Sequence, residues 1–259
     1  MELKLDMPWE EIYAAIYRPM GRYLHAVREI DEVRLENLGG IERQKRLLVK
    51  NTKRFLRGEP AVNALLWGAR GTGKSSLIKA LLWEYAKEGL RVVEVEKESL
   101  GIIPELTDRL RELPYHFILF CDDLSFERGD SSYKPLKSLL EGSIERLPQN
   151  IIVYATSNRR HLLPEYKSDN EGAWVGEGEI HLGDAVEEKV SLSDRFALSL
   201  GFYQGTLKGY WELVQGYLGG ESYPVELEQK AINFATQKGS RSGRTAKQFY
   251  DLYRSGLIE

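Results

Sequence analysis

Four short apolar runs, AVNALLW (61–67), RVVEVE (91–96), FILFC (117–121) and IIVYAT (151–156), are separated from one another by segments of helical length. Runs this short, two of them rich in β-branched residues, predict strands buried on both faces. Strands that alternate with helices predict a parallel sheet covered by helices on both sides. Ahead of the runs, residues 7–35 read as helical, with Pro8 suited to a first turn and Pro19 with Gly21 breaking or kinking the element. This makes 1–35 an expected N-terminal helical leader outside the core. A second helix is expected from Ile41 to Arg57, carrying Leu47, Leu48, Val49, Phe55 and Leu56 and stopped by Gly58 and Pro60. Beyond Thr206 the strand-like runs cease, and three helical patterns predict a small all-helical domain over 205–259, leaving 36–204 as the α/β core. The polar stretch Glu165–Asp184 reads as a long irregular loop, of the kind that is functional or mobile.

Composition narrows this picture. With 42% hydrophobic and 29% charged residues in 259, the chain has the mix of a folded globular protein and room for one large domain or a large and a small one. The 36 Lys and Arg against 39 Asp and Glu leave no global basic field, so any nucleic-acid binding must be local. A single cysteine, Cys121, excludes an intramolecular disulfide, and His25, His116, His161 and His181 lie too far apart in sequence for a zinc ligand spacing. The start, MELKLDMPWEE, lacks a basic segment followed by an apolar one, and no apolar run nears the ~20 residues of a membrane span. A cytoplasmic protein without a membrane partner is expected.

The strongest chemical signal is GARGTGKS, Gly68–Ser75, which fits G-x-x-x-x-G-K-[ST] and lies between an apolar strand and a helical pattern. Gly68, Gly71 and Gly73 let successive backbone N–H groups turn inward as an anion nest, while the following helix directs its positive end at phosphate. Lys74 is placed to reach the β- and γ-phosphates of ATP, or the β-phosphate of ADP, and Ser75 to ligate Mg2+; Ala69, Arg70, Thr72 and Ser76 complete the expected phosphate-binding set. The second signal is FILFCDD, a buried strand ending in Asp122 and Asp123. Asp122 at the carboxyl edge of a sheet suits water-mediated magnesium binding, and Asp123 beside the γ-phosphate suits orientation or deprotonation of water. The same pair could instead cap the next helix. The interval from Lys74 to Asp122 leaves room for an extra strand between the two motif strands.

With these motifs in place the chain resembles the AAA+ ATPases over roughly residues 36–256. The resemblance implies a parallel five-stranded αβα P-loop sandwich with a small all-helical C-terminal lid. It implies a Mg2+-dependent ATPase that assembles into a homo-oligomeric ring or open ring and remodels a protein or nucleoprotein. IIVYATSNRR resembles the sensor 1 segment and implies that Asn158 positions the attacking water. SLSDRF resembles the arginine-finger segment and implies that Arg195 reaches the γ-phosphate of a neighbouring subunit. GSRSGRTAKQF resembles the sensor 2 helix, with Arg244 as its cation and Arg241 in reserve, and LGGIERQ resembles the adenine-packing segment, making Gly40 and Ile41 base contacts. More narrowly, GARGTGKSS, FILFCDDLSFE, YATSNRRHLLPE and SLSDRF resemble an uncharacterised prokaryotic family of short AAA+-type ATPases. Each residue also has a plainer reading: Asn158 could satisfy a strand end, Arg195 a surface ion pair, Arg244 a charged surface.

Two departures bear on mechanism. Many AAA+ members carry Glu where this chain has Asp123, and the shorter side chain reaches about 1.5 Å less far, which implies a different water position and slower hydrolysis. KESLGIIPEL lacks the aromatic-apolar-Gly loop with which threading unfoldases grip polypeptide. The helix at 42–57 carries Arg43, Lys45, Arg46, Lys50, Lys53, Arg54 and Arg57 against the single acid Glu42. It could track nucleic-acid phosphates or form a solvated outer face. A nucleotide-gated nucleic-acid-binding switch, loader-like or initiator-like with slow turnover, is therefore the alternative to the remodeller. A GTPase is disfavoured, because no N-K-x-D or T-K-x-D guanine motif occurs.

Overall fold

The computed structural model describes residues 3, 7–127, 130–141, 147–160, 162, 174–176, 179–181 and 192–258. Its strands are β1 (Ala14–Arg18), β2 (Tyr23–Val27), β3 (Ala64–Gly68), β4 (Leu90–Glu94), β5 (His116–Cys121), β6 (Ile151–Ser157), β7 (Trp174–Gly176), β8 (Glu179–His181) and β9 (Leu198–Phe202). The α-helices are α1 (Glu42–Leu56), α2 (Lys74–Tyr85), α3 (Ile103–Leu110), α4 (Lys134–Glu141), α5 (Leu207–Leu218), α6 (Leu227–Gln237) and α7 (Gly243–Arg254).

Seven strands form one sheet in the order β2-β1-β4-β5-β6-β3-β9. The five from β4 to β9 are mutually parallel, the expected α/β core. β9 is the strand no apolar run marks clearly, since Ser199 and Gly201 interrupt LSLGF. The strand inserted between the two motif strands β3 and β5 is β6, paired Leu65↔Ala155 and Leu119↔Val153. β4, which falls between them in sequence, lies outside β5.

Side-chain alternation splits the core into two layers. Leu65, Val93, Phe117, Leu119 and Val153 face one side. Leu66, Val92, Ile118, Phe120 and Tyr154 face the other, where α1 and α2 pack through Leu48, Phe55, Leu77 and Leu81. The Tyr154 hydroxyl, buried among apolar side chains, is paired with Asn51 Nδ2 at 3.0 Å and Thr52 Oγ1 at 2.9 Å, which locks α1 to the sheet. A third apolar cluster, including Tyr210, Val214, Ala231 and Phe249, belongs to α5–α7 alone. Thr206 and Ser242 cap α5 and α7 by accepting from Gly209 N and Thr245 N.

The N-terminal segment corrects the expectation of a helical leader. β1 and β2 form an antiparallel hairpin, and β1 extends the sheet parallel to β4 with Ala14↔Val92 and Ile16↔Glu94 in register. Pro19 and Gly21, read as a helix break, lie in its turn, where Arg22 adopts φ 46°. β1 is buried on both faces, with Ala15 and Tyr17 in one layer and Ala14 in the other, so its apolar residues lack the period-2 pattern of a half-buried strand. An unpaired β4 edge would leave a row of backbone donors and acceptors open, and the hairpin covers it. Arg91 fastens the segment before it. Its 3%-exposed guanidinium lies over the Tyr13 and Tyr115 rings and donates to the carbonyls of Trp9, Ala86 and Leu90. The stretch expected to be an irregular loop at 165–184 contains the antiparallel pair β7–β8 among its described residues.

Candidate nucleotide site

β3 delivers the chain to the phosphate loop and α2 takes it away, and glycine is required at the turns between. Gly68, at φ 126°, lies so close to β9 that a Cβ would sit 1.9 Å from the Phe202 carbonyl oxygen. Gly71, at φ 76°, faces Ser242, whose Oγ would lie 2.6 Å from a Cβ. Gly73, at φ 94°, caps α2, so the helix starts at Lys74 with its N–H groups and positive end toward the cleft.

The chemistry converges at the carboxyl ends of β3, β5 and β6. Lys74, 7% exposed, donates from Nζ to the Gly68 and Ala69 carbonyls at 2.8 Å each and to Asn158 Oδ1 at 3.3 Å. Burial lowers its pKa, opposed by the charges of Asp123 and Asp122 and reinforced by Arg244 and Arg70. Ser75 Oγ donates to Asp122 Oδ1 at 2.7 Å, and Thr156 Oγ1 donates to the same oxygen. Thr156 Oγ1 also accepts from Asp123 N at 2.9 Å, which holds Asp123 in the left-handed region at φ 50°. Asp123 Oδ1 in turn accepts from Asn158 Nδ2, and its Oδ2 lies 3.9 Å from Arg70. One network therefore joins the phosphate-loop lysine, both carboxylates and the β6-end asparagine.

The cleft, 720 Å³ in volume, places most of the expected residues together. Arg70, Gly71, Thr72, Gly73, Lys74, Ser75 and Ser76 form its floor, Asp122, Asp123 and Asn158 one wall, and Gly40 and Ile41 another. Both Arg241 and Arg244 line it from the helical domain, where Arg244 N donates to the Gly71 carbonyl at 3.4 Å. Gly68 and Ala69 do not line it; their carbonyls accept from Lys74 Nζ. Arg195 does not line the cleft. Its guanidinium pairs with Glu141 at the end of α4, Nη2 to Oε1 at 2.8 Å.

The donor set fits magnesium: a serine hydroxyl and an aspartate within hydrogen-bond distance of each other, hard oxygen ligands beside a phosphate nest. Ser75 and Asp122 are the residues that would hold it. Among the described residues no cluster of three or more His, Cys, Asp or Glu offers a protein-only metal cage. Two site residues escaped the sequence analysis. Thr156 reads as one more β-branched strand residue, and only its place before Ser157 and Asn158 at a polar strand end marks it. Ser242 is visible only as a cap signal for α7.

The fold is that of AAA+ P-loop proteins. A point mutant of Thermotoga maritima RuvB matches with TM-score 0.58 at 18% identity, over 87% of this chain and 66% of that one. A second RuvB point mutant from the same organism matches with TM-score 0.50 at 14% identity, over 86% of this chain and 73% of that one. The chain thus spans 66% of the length of the first of these structures, and at such identities the likeness concerns the fold. Among curated proteins no sequence matches. No helix among the described residues is long and apolar enough to cross a membrane. The family model of a protein of unknown function, DUF815, matches residues 10–257, and the chain belongs to that family.

Proposed function

We propose that the protein binds ATP and hydrolyses it to ADP and phosphate as an oligomer in which each cleft is completed by Arg195 of a neighbouring subunit. The observation that carries this reading is the network joining Lys74, Ser75, Asp122, Thr156, Asp123 and Asn158 on the floor and wall of one cleft. The loop N–H groups and Lys74 bind and orient the β- and γ-phosphates, exchanging loop carbonyls for phosphate oxygens. Ser75 and Asp122 would hold magnesium, which when bound would supply positive charge against the phosphates. Asn158 and Asp123 orient a water in line with the γ-phosphorus, and Asp123 accepts its proton as the bond to the β–γ bridging oxygen breaks. Gly40 and Ile41 pack on the base, while Arg244 and Arg241 join the helical domain to the phosphates. The released energy drives rearrangement of a protein or nucleoprotein substrate, since the bound nucleotide ties α7 to the core.

A second reading has an observation of its own. Asp123 is short, held at positive φ and already engaged by Asn158 and Arg70, which suits a slow switch that changes shape on ATP binding. Titrating wild-type protein with Lys74→Ala protein separates the two. Subunits that lack nucleotide but keep Arg195 stimulate dilute wild type if the finger acts in trans. No stimulation at any ratio, with ATP still bound by wild type, selects the switch.

A further inference from the structure

The outward face of α1 carries cations in a pattern that the nucleotide chemistry does not use. Arg43, Arg46, Lys50, Lys53 and Arg57 are all exposed. At 3.6 residues per turn their spacing places them within an arc of about 80°, opposite the buried face of Leu48, Thr52 and Phe55. From Arg43 to Arg57 the stripe runs about 21 Å, the axial reach of about six phosphates on one strand of a duplex.

Three cations on other helices show the usual pairing within a helix, which the stripe lacks. Lys137 pairs with Glu141, Lys208 with Glu212 and Lys247 with Asp251, each four residues away on its own helix. On α1 the two acids nearby are both committed, Glu42 to Lys45 and Glu59 to Arg54, and both of those cations lie beside the stripe rather than in it. Among the described residues no ion pair engages Arg43, Arg46, Lys50 or Arg57. Lys53, whose Nζ lies 5.8 Å from the Tyr85 ring centroid, remains exposed. An ordinary solvated face is laced with i, i+4 pairs, whereas this one carries a single sign over its whole length. The stripe contains no aromatic side chain, so it offers no platform for stacking unpaired bases.

We propose that α1 is a docking surface for the phosphate backbone of double-stranded DNA, bound without regard to sequence. The fixed helix, locked to the sheet through Asn51 and Thr52, presents a rigid row of charge that can lie along the phosphates bordering a groove of the duplex. The surface is separate from the residues that bind and hydrolyse ATP, so its failure leaves the ATPase reading intact.

The test is fluorescence anisotropy of a labelled 30-base-pair duplex of mixed sequence against the full chain over a salt series. With about five phosphates neutralised, log Kd should rise with log salt at a slope of about 4.5. The variant Arg46→Gln/Lys50→Gln/Arg57→Gln should lower that slope by about 3 and weaken binding about 100-fold at ~100 mM salt. Its phosphate release without DNA should stay within about twofold of wild type, and Arg46→Lys/Arg57→Lys should bind as wild type does. The proposal is overturned if the duplex does not bind at low salt or if the neutralised variant binds equally well. It is equally overturned if single-stranded DNA or duplex RNA binds as tightly, or if neutralisation changes only the oligomeric mass, which would mark the stripe as a contact between copies.

Discussion

The nucleotide cleft and the corner around Arg195 solve opposite problems. In the cleft, Lys74, Asp122 and Asp123 meet partners from other elements of the same chain: Lys74 on α2 reaches Asn158 at the end of β6, which also holds Asp123, and Ser75 reaches Asp122 beyond β5. At the corner, Arg195 has no part in the cleft and rests on Glu141 of α4, both half-exposed at 43% and 35%. An exposed ion pair of this kind is worth well under about 1 kcal/mol and exchanges readily for a phosphate. On the proposed reading one chain carries the groups that hold nucleotide, while the cation proposed to stabilise transferred charge rests elsewhere. Affinity, on the same reading, belongs to the subunit and turnover to the pair.

That division is open to attack by mutation. Lys74→Ala should cut both sides of it, weakening ATP binding about 10³-fold through loss of charge-assisted contacts to phosphate; isothermal titration with ATP and magnesium reads this directly. Arg195→Ala should lower turnover about 10³-fold or more while leaving the ATP Kd within about threefold, and retained turnover removes the finger from the account. Thr156→Val deletes the hydroxyl that grips Asp122 and the Asp123 backbone, so kcat should fall about 10- to 100-fold with binding little changed. Glu141→Gln, which releases Arg195 in the free subunit, should raise the rate at low protein concentration by only a few-fold. A fall of tenfold there would make Glu141 part of the machinery rather than a resting place.

The parts of the molecule legible in the sequence are those whose local pattern and tertiary role coincide. GARGTGKS names its own geometry, because the left-handed conformations of Gly68, Gly71 and Gly73 admit no other residue comfortably. FILFC and IIVYAT end in the polar residues that the sheet's carboxyl edge presents. The hairpin β1–β2 was misread because its strands serve a tertiary need, the closing of the β4 edge, and β1 is buried on both sides. Arg91 is likewise opaque in sequence: a cation in an apolar strand looks like an edge residue until Trp9, Tyr13 and Tyr115 close around it. Thr156 was missed for the reverse reason, since its β-branched shape suits the strand and its hydroxyl matters only once Asp122 and Asp123 arrive from β5.

The central claim, that turnover is a property of paired subunits, meets its most direct test in steady-state phosphate release from ATP and magnesium, measured per subunit over several decades of protein concentration. The account predicts a rate that is low in dilute protein, climbs as subunits associate and then levels off. A rate per subunit that is appreciable and independent of concentration, in protein that stays monomeric throughout, would contradict it.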